Sequence, residues 1–213
     1  MLVLMHERPY LFAGCAVRGD TDAVAAVVRT TIGPDERLPT RRTFQEQVMV
    51  RWPGLYAASA RVLSRVSPRS RARRALLCRN ALSGWAAWMR GDLDLCVVRF
   101  SREWDYRPPR EWLVAGMPDN YRGHEGLREW FADLREAWEF LEHRPLEVAD
   151  AGAVFAFYCK VRLRSRTSGI EIDSHLGQVF WVERGLIVQE RDFSDWDEAL
   201  QLMTAEAAVE TVA

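Results

Sequence analysis

The sequence contains a single lysine, no close pair of cysteines and no cluster of histidines. Lys160 is the only lysine among 29 lysine and arginine residues. The four cysteines lie far apart, at Cys15, Cys78, Cys96 and Cys159, with no CxxC motif and no histidine at metal-ligand spacing. The pattern therefore predicts neither a disulfide framework nor a metal site. We expect a reduced, cytoplasmic protein that works without a metal or organic cofactor.

Long apolar runs are also missing. No stretch approaches the roughly 20 apolar residues that a helix needs to span a bilayer. The apolar start Met1–Met5 is interrupted at once by His6, Glu7 and Arg8, so we expect no signal-peptide core. The sequence also lacks a glycine-rich phosphate loop and a nucleophile-elbow motif. These absences disfavour a membrane-spanning protein, a P-loop enzyme and a serine hydrolase of the elbow type.

Acidic residues are absent between Gln47 and Gly91, a segment that contains nine arginines. Four of these arginines fall between residues 69 and 74, where positive charge at the start of a predicted helix opposes the helix dipole. We expect the Arg61–Arg79 segment to be neutralised within the chain, or to contact an anionic membrane surface or an acidic protein. Nucleic acid is disfavoured, because the net charge is -1 and no nucleic-acid-binding motif accompanies the arginines.

The stretch Tyr121–Trp138 has the clearest helical pattern in the chain. Its apolar residues, with one more beyond it, recur at the spacing of a single helix face: Leu127, Trp130, Phe131, Leu134, Trp138 and Leu141. Charged residues fill the positions between them, so the opposite face is predicted to be exposed. Such an amphipathic helix needs an apolar surface to lie against, and the predicted strands that follow supply one.

Three helices are predicted before this stretch. They cover Thr43–Val50, a segment that starts at Pro53, and residues 68–90, and a weaker helical turn is predicted at Ala23–Val28. The apolar positions along residues 68–90 form a buried stripe.

Five strands and a closing helix complete the predicted elements. Arg102–Arg107 alternates as a strand, and residues 110–121 form a loop long enough to act as a lid. Asp195 is the predicted cap of the closing helix. The remaining strands are separated by glycine-containing turns, the last of them Arg184-Gly185, and cover Leu146–Asp150, Val154–Arg164, Ile170–Val182 and Leu186–Phe193.

This order of elements resembles the nuclear transport factor 2-like superfamily. The amino-acid sequence is similar to that of the SnoaL-like branch in three stretches, GWAAWMRGDLD, YRGHEGLREWFADLREAW and VERGLIVQERDFSDWDEAL. The resemblance implies an α+β fold in which a curved, mostly antiparallel sheet forms a cone-shaped barrel around helices. The chain then divides into an arginine-rich helical extension (1–69), a SnoaL-like domain (70–205) and a flexible tail (206–213).

The same resemblance implies a hydrophobic pocket inside the cone and a homodimer formed through the outer sheet face. Members of the superfamily include polyketide cyclases, ketosteroid isomerases and epoxide hydrolases, so the fold does not name the reaction. We expect a cofactor-independent isomerase, cyclase or hydrolase that uses proton transfer on a small hydrophobic metabolite. The alternative is a non-catalytic ligand-binding or interaction module that uses the basic N-terminal helices.

Asp192 is the candidate acid or base, because cyclases similar to this branch place a carboxylate on the last strand. Its direction depends on the hairpin register, since a one-residue slip exchanges the two faces of a strand. A two-residue loop puts Asp192 and His175 outside the pocket and Arg191 inside it. A three-residue loop puts Asp192 inside, beside Gln178, and Arg191 outside. His175 or Arg191 is the group predicted to stabilise an enolate next to Asp192.

Aromatic side chains and one amide are the predicted pocket lining. The expected ligand-binding residues are Trp85, Trp88, Trp104, Tyr106, Tyr121, Trp130 and Gln178. Such aromatic residues suit a flat hydrophobic ligand, and the same side chains can also fill a core.

Overall fold

The computed structural model describes residues 27–32, 38–109, 113 and 117–212. Residues 110–112 and 114–116 of the lid predicted at 110–121, and most of the helical turn predicted at Ala23–Val28, lie outside the described residues. Val28 itself begins a strand. The described residues form, in chain order, β1 (Val28–Thr31), α1 (Phe44–Arg51), α2 (Pro53–Ser64), α3 (Arg71–Arg90), α4 (Leu93–Val97), β2 (Phe100–Arg107), β3 (Tyr121–Arg122), α5 (Gly123–Ala137), β4 (Trp138–Asp150), β5 (Val154–Ser165), β6 (Glu171–Glu183), β7 (Leu186–Phe193) and α6 (Trp196–Val212).

All strands in the described part of the chain belong to one sheet, in the order β1-β4-β5-β6-β7-β2-β3. Neighbouring strands are antiparallel except for β2 and β7, which run parallel. The sheet is curved but not closed, and β1 and β3 form its two edges. Helices α3 and α5 pack on the inner face. This architecture confirms the predicted α+β fold class, with an open sheet in place of a closed barrel.

The amphipathic helix is shorter than predicted. α5 buries its predicted apolar face but ends at Ala137, and from Trp138 the backbone is extended, with φ of -130° and ψ of 140°. Trp138 and Leu141 therefore belong to β4, which pairs with β5 along its whole length. The helical interpretation failed here because Trp138 and Phe140 also fit the two-residue period of a strand, and pairing with β5 selects that period.

The turn between β6 and β7 is the two-residue loop Arg184-Gly185. Its φ angles are 50° and 83°, and Glu183 pairs with Leu186 across it. Two consecutive positive φ values are typical of the type I′ turn, whose twist matches that of antiparallel strands. The turn also packs on α2. A Cβ at Gly185 would lie 2.5 Å from the carbonyl oxygen of Ala57, so only glycine fits there.

A β-bulge in β7 reverses the side to which its later residues point. The pairing shifts by one residue between Ile187 and Gln189, so Val188 has no partner on β6. Beyond the bulge, Asp192 pairs with Gln178, and paired residues lie on the same face. The hairpin therefore has the two-residue loop of the first predicted register, but Asp192 points into the cavity as the second register predicted.

α6 covers part of the outer face of the sheet. The buried residues in this contact are Ala149, Val154, Ala156, Val179, Ala199 and Met203. Asp195 caps the helix as predicted, since its Oδ1 accepts a hydrogen bond from the Asp197 backbone N–H at 2.7 Å. The helix continues to Val212, through the predicted flexible tail, and buries Ala207. The homodimer expected through the outer face stays a prediction.

A buried arginine attaches α2 to the rest of the protein. The Arg73 side chain donates two hydrogen bonds of 2.7 Å to the two oxygens of Asp150, and both residues are at most 4% exposed. Its Nη1 lies within 3.0 Å of three carbonyl oxygens at the end of α2, those of Leu63, Ser64 and Val66. These carbonyls lie where α2 ends and its last carbonyl groups lose their helical partners, so the guanidinium acts as the C-terminal cap of α2.

Internal pairing explains part of the acid-free arginine segment. Besides Arg73, Arg90 pairs with the buried carboxylate of Glu46 at 3.3 Å. Most of the remaining arginines are exposed: Arg51, Arg61, Arg65, Arg69, Arg71 and Arg79.

Asp150→Ala should destabilise the protein strongly, because it leaves the Arg73 guanidinium buried without a counter-charge. Breaking a buried ion pair from one side costs about 3–5 kcal/mol of unfolding free energy. Glu171→Ala is the matched control, since it removes the carboxylate of an exposed pair with Arg164 and should change stability little. Chemical denaturation measures both, and equal effects of the two substitutions would contradict the role of Arg73 as an anchor.

Candidate functional site

A cavity of about 180 Å³ lies between the inner face of the sheet and the helices. Its wall is mainly apolar and is built from α2, α3 and α5 on one side and from β4, β5, β6 and β7 on the other. Polar side chains interrupt this wall at a few positions, among them Arg99, His143, Gln178, Glu190 and Asp192. The cavity is therefore a place where a small number of charges act in apolar surroundings.

Asp192 reaches the cavity from β7 and is held by two hydrogen bonds. Its Oδ2 accepts from the Tyr106 hydroxyl at 2.7 Å, and its Oδ1 accepts from the Gln178 Nε2 at 3.0 Å. Tyr106 lies on the neighbouring parallel strand β2 and is completely buried. Asp192 keeps part of its own surface open to the cavity. The carboxylate is thus oriented by the protein while remaining accessible to a ligand.

Glu190 forms the second carboxyl group of the site. It lies two positions before Asp192 on the same face of β7 and is also buried. Its Oε1 accepts a hydrogen bond of 3.3 Å from the Gln178 Nε2, the same amide nitrogen that donates to Asp192. A single amide group therefore connects the two carboxyl groups.

Burial raises the pKa of both carboxyl groups. Desolvation raises the pKa of Asp192 to about 6, while the hydrogen bonds from Tyr106 and Gln178 oppose the rise. Desolvation and the nearby Asp192 raise the pKa of Glu190 well above its usual value. Both carboxyl groups therefore hold a proton more readily than exposed carboxyl groups do, and two neighbouring carboxyl groups with raised pKa values are a candidate acid and base.

The orientation of Gln178 is set from its other side. Its Oε1 lies 3.3 Å from the Nε2 of His143 and 3.6 Å from the Sγ of Cys159, which donates to it. Desolvation lowers the pKa of His143 to about 4, so its ring is neutral near pH 7. A neutral imidazole that donates from Nε2 fixes the amide oxygen, and the amide NH₂ group then points at the carboxyl groups.

His175 and Arg191 do not join Asp192. Both side chains lie on the outer face of the sheet. Arg191 is next to Asp192 on β7, and His175 is three positions from Gln178, the residue that pairs with Asp192, so both point away from Asp192. His175 is exposed and stacks on Tyr158 with ring centroids 5.1 Å apart. The guanidinium carbon of Arg191 lies 5.9 Å from the centre of the Trp181 ring. The prediction that one of them stabilises an enolate beside Asp192 is therefore corrected by the register.

The predicted ligand-binding residues divide into two groups. Trp85, Trp88, Trp130 and Gln178 line the cavity. Trp104, Tyr106 and Tyr121 lie behind this wall in the core, where each is at most 1% exposed. The planes of Trp104 and Tyr106 stack with centroids 5.4 Å apart, which fixes the ring of Tyr106 whose hydroxyl holds Asp192.

A family model for the SnoaL-like domain matches residues 83–190, just over half of the chain. The chain belongs to the SnoaL-like domain family. The recognition made from the sequence is therefore confirmed, together with the nuclear transport factor 2-like fold. In this SnoaL-like chain the matched segment ends at Glu190, so Asp192 and all of α2 lie outside it.

Solved structures similar to this SnoaL-like chain have low sequence identity. An NTF2-like protein from Burkholderia thailandensis is 21% identical, with a TM-score of 0.48, over 61% of this chain and 94% of that one. An LEH-like epoxide hydrolase from M. tuberculosis is 17% identical, with a TM-score of 0.42, over 63% of this chain and 92% of that one. A search of curated proteins finds no match.

Several site residues of the SnoaL-like chain were not identified from the sequence. Glu190 alternates with Asp192 at the two-residue spacing of one strand face, and this signal could have identified the pair. His143 and Arg99 have no such local signal, because their roles depend on contacts between distant segments.

Among the described residues, no three His, Cys, Asp or Glu side chains come close enough together to hold a metal ion. No helix in the described part of the chain is long and apolar enough to cross a membrane.

Asp192 should make the stability of this SnoaL-like protein fall as pH rises. The folded state raises its pKa from 3.8 to about 6, so the folded protein binds the proton more tightly than the unfolded chain does. The stabilisation is present below about pH 4 and is lost as pH rises through about 6, by up to roughly 3 kcal/mol.

Asp192→Asn cannot titrate and should therefore remove this part of the pH dependence. Chemical denaturation between about pH 4 and pH 8 compares the variant with the parent protein. Glu183→Gln, which changes an exposed carboxylate of the same hairpin, is the control and should leave the profile unchanged. Parallel pH profiles for Asp192→Asn and the parent protein would contradict the burial of this charge.

Proposed function

We propose that this SnoaL-like protein is an isomerase, cyclase or hydrolase that transfers protons on a small hydrophobic molecule without a cofactor. The observation that supports this proposal best is the oriented pair Asp192 and Glu190, connected through Gln178 and open to an apolar cavity. A carboxylate whose pKa lies near the working pH is an effective general base, because it is both ionised and basic enough to accept a proton.

In the proposed reaction, Asp192 removes a proton from a carbon next to a carbonyl group of the ligand. The electrons of the C–H bond move to the carbonyl oxygen, and an enolate results. Protonated Glu190 donates a hydrogen bond to that oxygen or returns a proton to the product. Tyr106 and Gln178 do not touch the ligand in this scheme, since their hydrogen bonds hold Asp192 in the ionised form.

A general-base probe tests this proposal without knowledge of the natural substrate. In 5-nitrobenzisoxazole, removal of the ring C–H proton breaks the N–O bond and releases a coloured phenolate. The protein should turn the probe over, and Asp192→Asn should lower the rate at least about 100-fold. The rate should rise with pH through about 6, where Asp192 ionises, and then level off. Absorbance of the phenolate measures both effects.

Glu190→Gln is the matched variant for this probe. Glutamine resembles the protonated carboxyl group in shape and charge, and the departing phenolate needs no proton from Glu190. The variant should therefore keep the rising pH limb and most of the rate. Turnover that survives in Asp192→Asn, or that disappears equally in both variants, would contradict the assignment of Asp192 as the base.

The second candidate function is an interaction module that binds an anionic membrane surface through α2. One face of α2 lines the cavity with Tyr56 and Leu63. Away from the cavity, α2 carries Leu55 and Val62, which are 59% and 63% exposed, and Trp52, which precedes the helix, is 57% exposed. Exposed arginines accompany these residues: Arg51, Arg61 and Arg65. Exposed apolar side chains among cations are typical of helices that lie in a membrane interface.

Vesicle cosedimentation tests this second function. The protein should bind vesicles that contain phosphatidylserine more strongly than phosphatidylcholine vesicles, and added salt should weaken the binding. Joint replacement of Leu55 and Val62 by serine should reduce the bound fraction several-fold. Ile170→Ser is the control, because Ile170 is 65% exposed in the connection before β6 and does not belong to α2. Equal binding to both vesicle types would contradict a membrane contact through α2.

A further inference from the structure

Arg99 is a buried cation on the wall of the cavity. It precedes β2, is 6% exposed and lines the same cavity as Asp192. Its Nη1 donates to the Leu95 carbonyl oxygen at 2.5 Å and its Nη2 donates to the Ser83 hydroxyl at 2.8 Å. Its Nε has no hydrogen-bond partner among the described residues. Two of the five N–H donors of the guanidinium are thus accounted for, both by neutral acceptors.

No carboxylate of the described residues forms a direct ion pair with Arg99. None of the ion pairs that these residues form includes Arg99. Its partner Ser83 donates at 2.6 Å to the buried Glu46 carboxylate, which is itself paired with Arg90. Arg73, the other buried arginine described above, has a carboxylate partner in Asp150. A buried charge is normally paired, because removing it from water is costly and guanidinium stays ionised in proteins. Arg99 therefore differs from Arg73, because it is buried without a direct carboxylate partner.

The position of Arg99 separates it from the carboxyl pair. Its carbonyl oxygen accepts from the Ile187 backbone N–H at 2.9 Å, next to the hairpin turn. Asp192 lies five residues further along β7, which is roughly 15 Å of strand at about 3.3 Å per residue. The Tyr56 ring of α2 lies 5.9 Å from the guanidinium carbon and forms part of the wall beside it. One ligand lying along β7 can reach both groups.

We infer that Arg99 binds an anionic group, such as a carboxylate, of the otherwise apolar ligand that occupies the cavity. The anion supplies a direct counter-charge, and the guanidinium fork suits the two oxygens of a carboxylate. The inference deepens the proposed function by naming the substrate class, an apolar acid whose reacting carbon lies at the Asp192 end. It rests on that function only for calling the ligand a substrate.

Binding of 2-naphthoate and its uncharged relative 2-naphthamide tests the inference. The two probes share the aromatic skeleton and differ in the charge that Arg99 is proposed to recognise. Isothermal titration calorimetry near pH 7 should show that 2-naphthoate binds at least about tenfold more tightly than 2-naphthamide. Arg99→Gln should abolish this preference while leaving 2-naphthamide affinity nearly unchanged. Arg164→Gln, an exposed arginine on the outer face, is the control and should keep the preference.

Absence of the preference in the parent protein, or its survival in Arg99→Gln, would overturn the inference. Retained 2-naphthamide binding shows that the cavity of the variant is intact. If Arg99→Gln does not fold, Arg99→Lys keeps the charge without the fork. A several-fold loss of 2-naphthoate affinity alone in Arg99→Lys supports the inference, and unchanged affinity contradicts it.

Asp192→Asn separates this inference from the proposed function. Binding of the anion does not require proton transfer, so the variant should keep the preference for 2-naphthoate over 2-naphthamide. Loss of the preference in Asp192→Asn would contradict recognition by Arg99. Turnover of 5-nitrobenzisoxazole by Asp192→Asn would instead contradict only the catalytic assignment.

Discussion

Val188 has no partner on β6, and this one unpaired residue reverses the face of the sheet to which every later side chain of β7 points. The irregularity is shared by the other neighbour of β7, because the pairing of β2 with β7 also shifts between Ile187 and Gln189. Without the bulge, Glu190 and Asp192 would point to the outer face and the cavity would lose both carboxyl groups.

Bringing two carboxyl groups into one apolar cavity is costly unless one of them keeps its proton. Gln178 reduces this cost by donating from one nitrogen to both groups. Its orientation depends on a neutral His143, and His143 is kept neutral by its own burial. Buried polar networks stabilise a unique arrangement when their members are satisfied together. The same desolvation that weakens the folded state at high pH therefore creates a base beside an acid.

Elements with strong local signals could be predicted from the sequence. The apolar stripe of α3, the alternating strands and the Arg184-Gly185 turn follow from spacing and residue type, and the family resemblance follows from their order. The inward direction of Asp192 could not be predicted, because Val188 is neither glycine nor polar and carries no sign of a bulge. The bulge is seen only in the pairing of β7 with β6 and β2, and β2 lies more than 80 residues away in the sequence.

The predicted extension (1–69) and the predicted SnoaL-like domain (70–205) both contribute residues to the cavity wall. Residues 1–69 were predicted as an extension, yet α2 supplies part of the cavity wall and is held by Arg73 and by the hairpin turn at Gly185. The family match begins at residue 83, so this wall is not part of the matched segment. The carboxyl pair lies near the other end of β7. Ligand selection by Arg99 and the wall beside it can therefore change through α2 while the carboxyl pair stays the same, because the two regions lie at opposite ends of β7.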